Sequence, residues 1–320
     1  MTSVNTPYDD VFRTLLNDCS KLILPVINEI FGEHYTREET ILFFPNEHFI
    51  NQQDGNECLR ITDSSFKIVS LETKKYHCEC QSTADNSLLV RSFEYGAQIA
   101  LDQGEVKENT LTVTFPHAAV LFLRCKTSTP NKMKIKMITP GGEVEYEVHV
   151  MKVPNYTLDN IFEKNLLFLL PFYIFSHEKK LEEYNTNQEK LEELKSEYKE
   201  IATRLEQLME TGKISAYTKN TIQEMSEKVL EHLAAKYKHV KEGVKSVMGG
   251  KILEYEAKTI LNTGREESAF LKSVNGVYNL IMKKNFTKEE AFDMLEVTKE
   301  DRDIISELID KKIKESSIKT

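Results

Sequence analysis

The chain has 320 residues, of which 40% are hydrophobic and 29% charged, and its formal net charge is −9. This length allows about two domains. The acidic balance argues against a protein that binds nucleic acid tightly through a basic surface. It does not exclude a nuclease, because active-site carboxylates add negative charge that a bound metal ion neutralises.

Membrane association is not expected from the sequence. The longest apolar run, Leu166–Phe175, is interrupted by Pro171 and is shorter than the roughly 18 residues that span a bilayer. The N-terminal stretch MTSVNTPYDD has neither the basic nor the apolar region of a signal peptide. We therefore expect a cytoplasmic protein with no membrane partner.

The cysteines predict neither a disulfide framework nor a zinc knuckle. Their number, 5, is odd, and no CxxC pair occurs. Cys78 and Cys80 are two residues apart, which on a strand places both on one face. We expect them to be small, buried hydrophobic side chains.

The first predicted element is a helix over residues 9–32, where apolar side chains recur at intervals of three and four. Pro25 falls inside this pattern and is expected to kink or split the helix. Gly32 is suited to end it, because glycine readily adopts the left-handed conformation of a helix terminus.

Two strands are predicted next, over residues 59–70 and 75–82, and the short polar link Leu71–Lys74 indicates a hairpin. A helix is predicted over residues 86–102, with Asp85 as its N-cap. Residues 111–124 are strand-like, and the apolar run AAVLFL within them is typical of a buried central strand.

The clearest hairpin is predicted over residues 132–151. Lysines alternate with apolar residues before the Pro140-Gly141-Gly142 turn, and glutamates alternate with apolar residues after it. The lysines could contact DNA. We favour cross-strand Lys–Glu pairing, because the glutamates fall on the matching face.

From Thr157 onward the sequence predicts helices, because glycine is sparse and Glu and Lys abound. Apolar side chains at heptad-like spacing, with polar Gln188 and Lys195 between them, indicate a short helical hairpin or an imperfect coiled coil: Leu181, Tyr184, Leu191, Leu194, Tyr198, Ile201, Leu205 and Leu208. Further helices are predicted at 218–247, 251–263, 266–284, 287–296 and 299–315. These helices could bind DNA, bind a partner protein or form a homo-oligomer.

Three side chains carry the chemistry in our interpretation: Asp63 in the first strand of the hairpin, and Glu79 and Gln81 in the second. Strand side chains alternate, so Glu79, Gln81 and His77 share a face. Hairpin pairing can place Asp63 beside Glu79, where two carboxylates repel each other unless a cation lies between them. Mg²⁺ suits such a site, because it binds one or two carboxylates, keeps several waters and contacts phosphate oxygens.

These residues form part of a longer pattern, which also includes ITD at 61–63, YHCECQS at 76–82, Asp85 and RSFEY at 91–95. The pattern resembles the PD-(D/E)XK nuclease-family transposases, which are related to the recombination-promoting nucleases. PYDDVFR at 7–13 and Asn46-Glu47 resemble the N-terminal part of that family. The resemblance extends to about Phe175.

The resemblance implies a restriction-endonuclease-like αβββαβ core of α/β (α+β) class with a mixed central sheet. Asp63 and Glu79 would hold Mg²⁺ (or Mn²⁺), together with the backbone carbonyl of Cys80. Gln81 would occupy the place of the motif lysine and position water. An acidic residue on the first helix often assists, and Glu29 is our candidate, with Asp10 as the second choice.

Two residues depart from the family motif. Thr62 replaces the proline before the aspartate, and Gln81 replaces the lysine, so it offers only hydrogen bonds where the lysine offers a positive charge. That charge could come from Lys67 or Arg91.

Three side chains near the motif have open roles. His77 could act in acid–base chemistry or only neighbour the site. Arg91 and Tyr95 could contact phosphate or brace the helix that carries them.

The resulting expectation is a nuclease-like domain at residues 1–176 and an all-helical region at 177–320. The first functional hypothesis is metal-dependent hydrolysis of phosphodiester bonds in DNA. The second is a nuclease-fold protein without catalysis, which binds DNA or protein and assembles through its C-terminal helices.

Overall fold

A computed structural model describes residues 7–36, 38–43, 47–51, 57–61, 65–70, 72–82, 87–102 and 104–248, and parts of 277–309 (277, 280–281, 286–295, 297, 302, 305–306 and 309). The chain forms two compact units, Met1–Ile252 and Leu253–Thr320. The first unit contains a mixed sheet and most of the helices.

The N-terminal segment folds as two helices, α1 at Pro7–Asp18 and α2 at Ile23–Phe31, joined by a 3₁₀ turn at Ser20–Leu22. The sequence predicted a kink or break at Pro25, but the break lies before it, at residues 19–22. Pro25 instead lies in the first turn of α2, where its missing N–H costs no helical hydrogen bond. Gly32 ends α2 with φ +69°, as predicted.

The described residues form these strands, in chain order: β1 Thr40–Phe43, β2 Glu47–Asn51, β3 Glu57–Ile61, β4 Ser65–Val69, β5 Lys74–Gln81, β6 Glu105–Lys107, β7 Thr110–Thr112, β8 His117–Phe122, β9 Lys132–Thr139 and β10 Gly142–Lys152. Between β5 and β6 lies helix α3, Leu88–Leu101. The predicted strand 111–124 is thus two strands, separated by irregular residues that include Pro116.

The main sheet has six strands in the order β1-β4-β5-β8-β10-β9. β4 is antiparallel to β1 and to β5, β8 is parallel to β5 and to β10, and β9 is antiparallel to β10. Residues 59–70, predicted as one strand, include part of β3 and the whole of β4, which belong to different sheets. β4 and β5 form the predicted hairpin, and its register places Ser65 opposite His77. The buried strand β8 lies between β5 and β10, as its apolar sequence predicted.

The β9–β10 hairpin is also confirmed, with Val148 opposite Met133. Its lysines pair with glutamates across the strands: Lys132 Nζ lies 2.6 Å from Glu147, Lys134 3.2 Å from Glu145 and Lys136 2.8 Å from Glu143. The cross-strand pairing that we favoured over a DNA contact is therefore present.

The two faces of the sheet belong to different hydrophobic clusters. Tyr76, Cys78 and Cys80 of β5 pack with α1 and α2 in the larger one. On the opposite face, Val120 and Phe122 of β8 pack with Leu88 of α3. Strand alternation therefore directs β5 side chains into two different environments.

The helical part continues the first unit. It comprises a 3₁₀ turn at Val153–Asn155, α4 Leu158–Glu163, a 3₁₀ segment at Leu167–Lys180, α5 Leu181–Thr186, α6 Gln188–Glu210, α7 Ala216–Leu233 and α8 Lys238–Val247. The predicted helix 218–247 is therefore two helices, α7 and α8. The apolar run Leu166–Phe175 is buried in the larger core. Over the described part of the chain, no helix is both long and apolar enough to cross a membrane.

The heptad-like stripe of α6 is buried inside the same chain. Leu191, Leu194, Tyr198, Ile201 and Leu205 belong to the core that also contains the β5 cysteines. The stripe is thus explained without a second chain, and self-association through these helices stays a prediction. The change to helical structure follows Lys152, whereas residues 176 and 177 lie inside the 3₁₀ segment Leu167–Lys180. The predicted domain boundary there stays a prediction.

In the second unit, α9 spans Lys288–Met294 and begins with a capping box. Thr287 accepts a hydrogen bond from the Glu290 backbone, and the Glu290 carboxylate accepts one from the Thr287 backbone at 2.8 Å. Ala291 and Phe292 are buried in this unit's own small core. A helix is therefore confirmed within the predicted range 287–296.

Candidate functional site

Strand β5 presents His77, Glu79 and Gln81 on the face covered by α3. His77 is 1% exposed and Glu79 is 3% exposed, whereas Gln81 near the strand end is half-buried. The intervening Cys78 and Cys80 are buried in the larger core. The alternation predicted from the sequence is therefore present, and it places a carboxyl group deep in the protein.

Arg91 of α3 forms an ion pair with Glu79. Its Nε atom lies 3.4 Å from Glu79 Oε1, and its Nη1 atom donates a hydrogen bond to Ser87 Oγ at 2.7 Å. A buried carboxylate is costly unless an opposite charge compensates it, and Arg91 supplies that charge. The helix that carries Arg91 has Ser87 as its N-cap residue rather than Asp85, which lies outside the described residues.

His77 lies opposite Ser65 on β4, and both side chains are fully enclosed. Among the described residues, neither ring nitrogen of His77 has a hydrogen-bond partner, and the hydroxyl of Ser65 has none either. The ring meets Tyr95 of α3 edge to face, with 5.5 Å between the ring centres. Burial, followed by the positive charge of Arg91, lowers the pKa of His77 to about 4, so the imidazole is neutral near pH 7.

The C-terminal end of β5 is held by hydrogen bonds to the neighbouring strand β8 and to the residues just after it. The Gln81 carbonyl accepts a hydrogen bond from the Leu123 backbone at 2.9 Å, and Cys80 lies opposite Leu121 in the ladder. Arg124 Nη1 then donates to the carbonyl oxygen of Ser82 at 3.2 Å. Sequence reasoning missed both Arg124 and Ser65, although Ser65 is two residues from Asp63 and thus has the same strand parity.

Lys67 shares the face of Glu79, because it lies opposite Lys75 on β5. Burial lowers the pKa of Lys75, and its ammonium group is 3.5 Å from the carbonyl oxygen of Thr114. Lys67 of β4 and Lys75 of β5 are therefore neighbours, near the N-terminal end of β5.

The structure does not bring the first-helix carboxylates to Glu79. Glu29 lies on α2, which packs on the cysteine side of β5, and its carboxylate binds Lys164 at 2.6 Å and Tyr156 at 3.1 Å. It lines a cavity of about 380 Å³ there. Asp10 Oδ2 is 3.6 Å from Lys228 Nζ.

Asp63 and Thr62 lie outside the described residues, so the predicted Asp63–Glu79 pair is untested. Among the residues that are described, no group of three or more His, Cys, Asp or Glu side chains could hold a metal ion. The described part of the site contributes one carboxylate, one amide and one neutral imidazole. Comparisons with protein-family models, curated proteins and solved structures find no match for this chain.

Proposed function

We propose that this protein is a Mg²⁺-dependent DNA endonuclease of the PD-(D/E)XK type, related to the recombination-promoting nucleases and nuclease-family transposases. One observation carries the proposal. The E-x-Q pair, Glu79 and Gln81, lies on one face of the strand that joins the antiparallel and parallel parts of the sheet. The family resemblance requires its second acidic ligand on such a strand.

The order of elements supports the same proposal. Helix α2 is followed in the main sheet by β1, β4 and β5, which are antiparallel, then by α3 and by β8, which is parallel to β5. This is the αβββαβ order expected of a restriction-endonuclease-like core. Among the described strands, β2 and β3, between β1 and β4, and β6 and β7, between α3 and β8, form two separate hairpins outside the main sheet.

The register of β4 and β5 provides a further argument. Ser65 lies opposite His77, and an antiparallel ladder advances one residue on each strand. Continued by two residues, the same ladder would set Asp63 opposite Glu79. Two carboxylates and the Cys80 carbonyl would then suit a hard divalent cation, which prefers oxygen ligands.

The chain's own residues have distinct roles in this proposal. Asp63 and Glu79 hold the cation and Gln81 orients the attacking water through its amide group. Arg91 neutralises the buried charge of Glu79 before the cation binds and is available to phosphate oxygens afterwards. The cation, when bound, lowers the pKa of a water and stabilises charge on the scissile phosphate.

Plasmid nicking tests the proposal. Purified protein should nick supercoiled plasmid with Mg²⁺ or Mn²⁺ and not with EDTA, and Asp63→Asn and Glu79→Gln should each reduce the rate by about 100-fold or more. Glu145→Gln is the matched control, because its carboxylate pairs with Lys134 on the exposed face of β10. Undiminished nicking by both site variants would overturn the proposal.

A second candidate function is a nuclease-fold protein that binds and assembles without catalysis. The Arg91–Glu79 contact favours it, because the carboxylate is compensated without a metal ion. It predicts no metal-dependent nicking by the wild-type protein, together with oligomers whose size grows with concentration in sedimentation runs. Nicking that depends on Glu79 excludes it.

A further inference from the structure

The strongest unexplained feature of the site is a group of three buried polar atoms at the β4–β5 pair. They are the two ring nitrogens of His77 and the hydroxyl oxygen of Ser65, which lies directly opposite in the register. Their side chains are 1% and 0% exposed. A buried polar atom without a hydrogen-bond partner is destabilising, so three of them at one place indicate a missing partner.

Ser65 can satisfy only one of the two ring nitrogens. A neutral imidazole offers one N–H donor and one nitrogen lone pair, on opposite sides of the ring. Directly opposed strand residues have Cβ atoms about 5 Å apart, so a rotation of the Ser65 side chain would bring its hydroxyl to one ring nitrogen, with which it makes no hydrogen bond in the structure. The other nitrogen still needs a partner that the described residues do not supply.

The position of His77 identifies that partner. His77 and Glu79 are two residues apart on one strand face, a separation of roughly 6.6 Å along the strand. Helix α3 contacts both groups, because Arg91 Nε lies 3.4 Å from Glu79 Oε1 and the Tyr95 ring lies against the His77 ring. A charge placed between the carboxylate and the ring would therefore meet both side chains.

Resting on the function proposed above, we infer that His77 is a nitrogen ligand of the cation that Glu79 holds, and that the site therefore prefers Mn²⁺ to Mg²⁺. Imidazole nitrogen binds first-row transition ions well, whereas Mg²⁺ favours oxygen. Ser65 would accept the N–H of the second ring nitrogen once its side chain rotates, because the two groups form no hydrogen bond in the structure. This arrangement is usual for ligating histidines, whose second nitrogen is held by a neighbouring group that fixes the ring.

The direct test is pulsed electron paramagnetic resonance on the wild-type protein loaded with one equivalent of Mn²⁺. A histidine ligand gives ¹⁴N modulation in the spectrum, and a site with only oxygen ligands gives none. We expect ¹⁴N modulation in the wild-type protein and its loss in His77→Gln. Its absence from the wild-type protein overturns the inference without any variant, so a poorly folded variant cannot hide the answer.

Binding measurements test the cation preference. We expect His77→Gln to lose about tenfold or more in Mn²⁺ affinity while its Mg²⁺ affinity changes by less than about threefold. His117→Gln is the matched control: His117 lies on the neighbouring strand, opposite Tyr76 and thus on the other face, and should bind both ions as the wild type does. Equal losses for both ions in His77→Gln contradict the inference.

The two proposals fail in different ways. If Glu79→Gln and Asp63→Asn bind Mn²⁺ as tightly as the wild type, the proposed metal site itself is wrong. If those variants lose binding while His77→Gln keeps its affinity and its ¹⁴N signal, only the role of His77 is wrong. Arg91→Gln should raise the affinity for both ions alike, because it removes a nearby positive charge and no ligand.

Discussion

The guanidinium group of Arg124 holds the carboxylate of Glu178 through two nitrogen atoms, with Nε and Nη2 lying 2.6 Å and 2.7 Å from its oxygens. Its third nitrogen, Nη1, donates to the carbonyl oxygen of Ser82, and the group lies 4.9 Å from the centre of the Phe175 ring. Arg124 thus joins the ends of β8 and β5 to the 3₁₀ segment Leu167–Lys180.

Arg124→Ala should lower the free energy of unfolding by about 1–3 kcal/mol, because it removes a two-pronged ion pair and leaves the Ser82 carbonyl without this donor. Arg124→Lys should recover only part of this, since an ammonium group cannot reproduce the planar fork. Urea unfolding measures both. The control is Lys132→Met, whose exposed pair with Glu147 should contribute less than about 1 kcal/mol. Equal losses at Arg124 and Lys132 would show that the two-pronged contact adds nothing.

Leu205→Ala should destabilise the sheet as well as helix α6. Leu205 is 0% exposed and shares its core with Cys78 of β5, and such truncations cost about 2–5 kcal/mol. Hydrogen exchange should show β5 amides losing protection by a similar free energy. Leu101→Ala is the control, because Leu101 is 55% exposed. Unchanged β5 protection would instead make the helices a separate folding unit.

Alkaline pH should destabilise the protein partly through Cys19. Burial raises the pKa of this thiol to about 11, because its charged form is poorly solvated. The folded pKa is above the ordinary thiol value of 9.0. The stabilisation is therefore complete below pH 9.0 and is lost as pH rises towards 11, by on the order of 2–3 kcal/mol.

Paired urea titrations of the wild type and Cys19→Ala, run in reductant at pH 8 and pH 10.5, isolate this effect. The difference in unfolding free energy between the two proteins should shrink with pH, while contributions from other groups cancel. A difference that stays constant would mean that the thiol is solvated in the native state.

Gly32→Ala should cost about 1 kcal/mol, because Gly32 holds a left-handed φ of +69° at the end of α2 and has no atom near its missing Cβ. The cost is thus one of backbone conformation alone. Gly32→Asn should cost less, since Asn tolerates this region. Gly141→Ala, in the β9–β10 turn and without a positive φ, is the control for thermal unfolding. A similar change in melting temperature at both glycines would rule out this explanation.

Local patterns predicted the parts of the fold that local chemistry determines. Alternation located the β9–β10 hairpin and its Lys–Glu pairs, and the apolar run AAVLFL located the buried strand β8. The same rules misplaced the break near Pro25, because a proline in the first turn of a helix is tolerated. They also predicted one strand at 111–124, where the structure has β7 and β8, because both segments have the composition of a strand.

The candidate site was predictable along one strand but not across the fold. The parity of β5 correctly placed His77, Glu79 and Gln81 on one face. Glu29 shows the limit: its helical position is as predicted, yet α2 packs on the cysteine side of β5, where Lys164 holds the carboxylate. Which face of a sheet a helix covers depends on connections far apart in the sequence, and no local pattern records it.

The core behind the β5 cysteines includes residues from Tyr8 to Met248. During synthesis the N-terminal part of a chain emerges first, so β5 and Glu79 leave the ribosome long before α8, whose side chains complete that core. The sheet therefore reaches its final packing only late in translation. Nascent chains that stop short of α8 therefore lack part of the core that packs against β5.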